Sequence, residues 1–260
     1  MSDGKPVGNE FTSRVITGVL LVIVAGFCVW SGGLVFAALV AIGAVLALRE
    51  WRALTRLAPL IYLPALALLG IALAMAVVDA RLSGLFKAGG IALAGGILLA
   101  LASKGRGGGL AYVGLPAICL LWLRTLPWGL EAVAWILVVV ITTDVFAYAS
   151  GRTIGGRKLA PRISPGKTWS GLIGGVIAAT IFGWGAAMLL HLPHWMTFTG
   201  GFMAVLAQCG DLFESWLKRR AGVKDSGNIL PGHGGVLDRI DGLLPVALAT
   251  AIGMVLGMVA

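Results

Sequence analysis

Apolar residues run in nine blocks along this chain, at positions 15–30, 33–49, 59–78, 85–103, 110–127, 130–149, 170–190, 197–217 and 243–259. Most approach the roughly 20 residues that an α-helix needs to cross a hydrocarbon core about 30 Å thick. The pattern predicts an all-α, polytopic integral membrane protein with nine spans. Lys5 and Arg14 before the first block give it the outline of a secretory signal. Ser31-Gly32-Gly33 ends that block and a second follows at once, so it is read as a retained span. Trp30, Trp51, Trp128, Trp169, Trp195 and Trp216 stand near block ends, as an interfacial aromatic belt requires.

Charge orients the spans. With the N-terminus in the cytoplasm, 17 of the 20 Lys and Arg residues fall in cytoplasmic segments. Only Arg81, Lys87 and Arg124 lie outside. The positive-inside rule then predicts a cytoplasmic N-terminus and an external C-terminus. Spans one to five form an N-terminal membrane region, residues 1–129. Spans six to nine form a catalytic region, 130–260, whose loops 150–169 and 218–242 face the cytoplasm.

Composition excludes the soluble classes. The chain is 58% hydrophobic and 12% charged, against about 45–50% and about 25% for a soluble domain. The net charge of +9 follows from the topology and implies no nucleic-acid partner. The 39 glycines suit close helix packing in lipid. Cys28, Cys119 and Cys209 lie in apolar runs and read as buried thiols outside any disulfide framework.

Acidic residues inside spans point to chemistry, because a charge at the bilayer centre costs about 2.5–3.5 kcal/mol or more. Asp79 and Glu131 sit at outer span ends. Asp144 and Asp211 lie about 12–14 Å in from the basic clusters that begin at Arg152 and Arg220, which suggests one shared cytoplasmic cavity. Asp211, Glu214, Ser215 and Lys218 recur at helical spacing on one face. A polar helix seam, with Asp211 paired to a base, is the alternative reading of that stripe. Asp238 and Asp241 form a second i, i+3 pair. Convergent carboxylates with little Cys or His are hard ligands suited to Mg²⁺ rather than zinc. Since Mg²⁺ favours one or two carboxylates plus substrate phosphates, a phosphate-bearing ligand is implied.

The segment from Lys224 and Asp225 through His233, Gly234 and Gly235 is glycine-rich, so backbone N–H groups can approach a ligand. Lys218, Arg219, Lys224 and Arg239 stand ready to neutralise phosphates. Ser164-Pro165-Gly166-Lys167-Thr168 is not a P-loop, because Pro161 stands where the first glycine belongs. Ser164 as N-cap and Pro165 as first helical residue predict a helix start there, carrying Lys167 and Thr168 toward an anion. His191 and His194 read as interfacial polar residues. His233 could bond a phosphate or brace the loop.

From Ser215 to Asp241 the residues closely resemble the signature of the phosphatidate cytidylyltransferases, or CDP-diacylglycerol synthases. Asp144-Val-Phe-Ala-Tyr148, Gly151, Gly155-Gly156-Arg157 and Ser164 to Thr168 resemble that family too. The resemblance implies conversion of CTP and phosphatidate to CDP-diacylglycerol and pyrophosphate by a Mg²⁺-dependent enzyme of the cell's inner membrane. It further implies an active site facing the cytoplasm, room for a second cation, and a homodimer. It carries the metal onto Asp211 and Asp238, and catalytic roles onto these two with Lys224, Asp225, Arg239 and Asp241. Substrate contacts fall to Asp144, Ser164, Lys167, Thr168, Lys218, Arg219, His233, Gly234 and Gly235. Rival readings are another CTP-dependent lipid transferase, such as a polyprenol kinase, and a non-enzymatic anion transporter. The absence of D-G-x-x-A-R argues against a CDP-alcohol phosphotransferase.

Overall fold

The structure is a computed structural model that describes residues 7–230 and 234–259. Its long helices are α1 (Val7–Ser31), α2 (Gly33–Thr55), α3 (Pro59–Val78), α4 (Leu82–Ala102), α5 (Gly109–Thr125), α6 (Gly129–Thr153), α7 (Trp169–Leu189) and α8 (His194–Ala221). A four-residue α9 (Leu237–Ile240) precedes α10 (Leu243–Val259). Among the described residues six helices, α2 to α7, are long and apolar enough to cross a membrane. Gly18–Ser31 and Leu243–Gly257 are shorter apolar helices. The chain is an all-α membrane protein with one small sheet.

That sheet corrects the expected helix start at Ser164. Residues Lys158–Ala160 (β1) and Ser164–Thr168 (β2) pair antiparallel, Lys158 opposite Thr168 and Ala160 opposite Ser164. The α7 helix begins only at Trp169. Thr168, buried at its N-cap, accepts the Gly171 N–H through Oγ1 at 3.0 Å, satisfying a donor that has no partner within the helix. Pro165 thus sits in a two-stranded hairpin, where every strand is an edge and tolerates proline.

The α5 helix is the centre of the bundle. Every residue from Pro116 to Leu123 is buried, the mark of a helix enclosed on all sides. It packs mainly against α2, α3, α4 and α10 and more lightly against α6, so the C-terminal helix packs into the N-terminal half. Elsewhere α6, α7 and α8 form the other principal layer. On α7, Ile173, Ile177 and Ile181 recur every four residues and are each more than half exposed. They form a lipid-facing stripe, while Gly171 and Gly175 turn inward. A Cβ on Gly171 would lie 2.8 Å from the Ala147 carbonyl oxygen, and one on Gly175 would lie 2.9 Å from that of Thr143. Small residues therefore let α6 and α7 touch backbone to backbone.

Gly200 does the same between α8 and α7, because an added Cβ there would collide with the Ala179 carbonyl. Gly200→Ala is expected to destabilise the protein by about 1–3 kcal/mol through overpacking. Thermal unfolding in detergent reads this directly, and an unchanged midpoint would contradict the packing. The expectation of three buried thiols holds for Cys119 alone; Cys28 is half-buried and Cys209 is exposed on α8.

Candidate active site

The C-terminal half of α8 carries a polar stripe into the bundle. The hairpin lays Lys167 across it. Lys167 Nζ pairs with Asp211 Oδ2 at 2.6 Å and donates to Gln208 Oε1 at 2.9 Å. Gln208 Nε2 in turn donates to Asp144 Oδ1 on α6 at 3.4 Å. Ser215 Oγ donates to Asp211 Oδ1 at 3.2 Å. Residues from α6, β2 and α8 thus meet in one hydrogen-bonded chain. Gln208 is buried and absent from the sequence-based candidates. Its signal was its position three residues before Asp211, on the same face.

Asp241 stands within electrostatic reach of Asp144 and Asp211. Burial, reinforced by the Asp211 charge, pushes its carboxyl up to about 7. Arg239 lies within electrostatic reach of Asp144 and offsets part of this negative charge.

A second group forms one turn further along α8. Lys218 Nζ pairs with Glu214 Oε2 and, at 2.6 Å, with Asp238 Oδ1. Glu214 is completely buried. Lys218 and the Asp238 carboxylate are its polar neighbours, and removing either would leave a buried carboxyl short of a partner. Asp238 ties the loop together. Its Oδ2 accepts the Ser226 N–H at 2.9 Å, the Ser226 hydroxyl at 3.0 Å and the Gly235 N–H at 2.8 Å. Burial opposes its charge, but Lys218 and the loop N–H groups outweigh that and hold its carboxyl down at about 2.

The loop has a further anchor that the sequence did not announce. Glu50, buried on α2, accepts the Ser226 hydroxyl, the Val236 N–H and the Leu237 N–H.

Other predicted site residues are disposed differently. Lys224 and Asp225 are exposed at the loop rim. Arg219 donates to the carbonyls of Ile163 at 3.1 Å and Val223 at 3.4 Å, so it clamps the hairpin to the end of α8. Ser164 is bound into the sheet, and the Thr168 hydroxyl is committed to capping α7. Gly234 takes a left-handed φ of +84°, and its carbonyl accepts the Leu230 N–H at 3.0 Å. His233 lies outside the described residues.

Carboxylates and lysines alternating at a helix end are what a site for polyphosphate transfer needs. The profile of the Cytidylyltransferase family matches residues 12–256. The chain belongs to this family. It is 40% identical over 250 residues to the phosphatidate cytidylyltransferase of Brucella abortus biovar 1 (strain 9-941), covering 92% of this chain and 91% of that one. Over 137 residues it is 42% identical to the phosphatidate cytidylyltransferase of Bacillus subtilis (strain 168), 51% of each chain. Over 126 residues it is 44% identical to that of Haemophilus influenzae (strain ATCC 51907 / DSM 11121 / KW20 / Rd), 44% of this chain and 42% of the relative.

The donor set of this cytidylyltransferase fits Mg²⁺ in one particular way. Among the described residues no three Asp, Glu, His or Cys side chains gather closely enough to cage a metal. Mg²⁺ does not need such a cage when substrate phosphates and water complete its shell. The Asp211 side chain is 31% exposed and keeps lone pairs beyond its bonds to Lys167 and Ser215. Asp238 has four lone-pair directions. Its Oδ2 is saturated, Lys218 takes one position on Oδ1 and Glu214 also reaches this carboxylate, so a cation there would replace one of those two partners.

Proposed function

We infer that this cytidylyltransferase transfers the cytidylyl group of CTP to phosphatidate, giving CDP-diacylglycerol and pyrophosphate. The observation that carries the reading is the convergence of Lys167 on Asp211 and Lys218 on Asp238. It offers basic and acidic groups side by side, as two polyanionic substrates and a divalent cation require. Similarity over nearly full length to phosphatidate cytidylyltransferases supports the choice of lipid.

In the reaction an anionic phosphate oxygen of phosphatidate attacks the α-phosphorus of CTP. The bond from that phosphorus to the bridging β-phosphate oxygen breaks, and its electron pair leaves with pyrophosphate. The nucleophile is already ionised near neutral pH, so no strong protein base is needed. The barrier lies in bringing two polyanions together, and positioning with charge neutralisation lowers it. Asp211 and Asp238 would hold Mg²⁺, which would supply neutralisation of phosphate charge, with a second cation as the further expectation. Lys167 and Lys218, each held on an aspartate, are placed to offset charge on the substrate phosphates. Lys224 and Arg239 add positive charge at the rim. Asp144 and Gln208 keep Lys167 in reach.

The chemistry belongs to residues 130–260, with residues 1–129 as membrane scaffold. Nine spans, with α1, α8 and α10 added to the six, put the N-terminus in the cytoplasm and the C-terminus outside. Hairpin and loop then face the cytoplasm, where CTP is found, while acyl chains stay in the inner membrane. The assembly is a homodimer. CTP labelled at the α- or the γ-phosphate tests the reaction class. Only α-label should enter the lipid, whereas γ-label there would establish a lipid kinase.

A further inference from the structure

Glu50 belongs to the scaffold half, yet its side chain is spent entirely on the catalytic loop. It is 3% exposed. Oε1 accepts the Val236 N–H at 2.9 Å. Oε2 accepts the Leu237 N–H at 2.7 Å and the Ser226 hydroxyl at 2.9 Å. The loop is shaped around this carboxylate. A Cβ on Gly227 would lie 2.7 Å from Oε1, and one on Gly235 would lie 2.6 Å from Oε2. These two glycines therefore make room for a glutamate rather than for a phosphate.

The same loop atoms also hold Asp238. Ser226 Oγ is 2.9 Å from Glu50 Oε2 and 3.0 Å from Asp238 Oδ2, and one hydroxyl proton serves both. Gly235 donates to Asp238 at 2.8 Å, and the next two N–H groups go to Glu50. Two carboxylates, one from α2 and one from α9, thus clasp Ser226 and residues 235–237 between them. Asp238 in turn aims Lys218.

We propose that Glu50 is a positioning residue of the transfer reaction. Its carboxylate fixes the loop so that Asp238 and Lys218 are presented to the substrate phosphates. This rests on the function inferred above. A glutamine cannot substitute, because three donors converge on two oxygens and an amide NH₂ would face one of the loop N–H groups.

The test uses the full chain in detergent with CTP, phosphatidate and Mg²⁺. It compares Glu50→Gln, Glu50→Asp, Ser226→Ala and the double variant Glu50→Gln/Ser226→Ala. Glu50→Gln should lower kcat about 10–100-fold, the usual cost of losing a group that orients a ligand. The Mg²⁺ activation midpoint should rise and KM for phosphatidate should stay nearly constant. Glu50→Asp, too short to span all three donors, should fall between. The double variant should lose little more than Glu50→Gln, since both act through one link. Wild-type kcat and Mg²⁺ dependence per folded molecule in Glu50→Gln, even with a lowered unfolding temperature, would overturn the proposal. So would fully additive losses. If Glu50→Gln does not fold, Glu50→Asp decides by the same criteria. Amide hydrogen exchange separates this proposal from the reaction itself. Val236 and Leu237 should exchange faster in the variant whatever the substrate, and unchanged exchange would overturn it. An inactive wild type would overturn the functional reading alone.

Discussion

Asp211→Asn and Asp238→Asn are each expected to lose cytidylyl transfer by about 10³-fold, while the protein still inserts and folds. The exchange keeps volume and shape and replaces one oxygen by a donor. At Asp211 the new NH₂ must face either Lys167 or Ser215, both now donating to the carboxylate. At Asp238 the three donors on Oδ2 retain the amide oxygen. The NH₂ is thereby turned toward Lys218, where it repels the ammonium and offers no cation a ligand. Each change removes a charge exactly where a metal and the CTP phosphates would meet. If the missing group is a metal ligand rather than a shield, raising Mg²⁺ should not restore activity. Turnover of CTP and phosphatidate by either purified variant at the wild-type rate would refute the metal assignment.

Gly235→Ala is the second large effect, about 100-fold, the scale of loss when a reacting group is misplaced by about 1 Å. No charge or hydrogen-bonding group is removed. The new methyl would meet Ser226 Oγ and Glu50 Oε2, the latter at 2.6 Å, and both are held by other bonds. The loop must move, and Asp238 moves with it through the Gly235 N–H. Gly185→Ala is the control, since nothing lies within 4 Å of a Cβ there, and it should behave as wild type. Equal rates for the two alanine variants, measured on folded protein, would show that the clasp does not govern catalysis.

Periodicity carried most of the architecture into view. The apolar blocks match the long helices because lipid imposes length and composition on a span before any tertiary contact forms. The stripe at 211, 214, 215 and 218 is real for the same local reason. It appears as the Ser215–Asp211 bond and the Glu214–Lys218 pair. What escaped was tertiary. Ser164-Pro165 reads as a helix start, yet the same pair fits a hairpin edge, and only pairing with residues 158–160 decides between them. Glu50 stood among Arg49, Trp51 and Arg52 at the end of an apolar block, where charge is ordinary. Its partner Ser226 is 176 residues away, beyond any spacing rule. The loop glycines read as places where a ligand comes close to the backbone, yet at Gly227 and Gly235 the close group is a carboxylate of the protein's own.

The most direct measurement is phosphorus-31 NMR of the purified full-length chain in detergent with CTP, phosphatidate and Mg²⁺. The account predicts that CDP-diacylglycerol and pyrophosphate appear in equal amounts, that both require phosphatidate, and that a chelator stops both. Release of orthophosphate or CDP with no pyrophosphate, or pyrophosphate formed without phosphatidate, would contradict it.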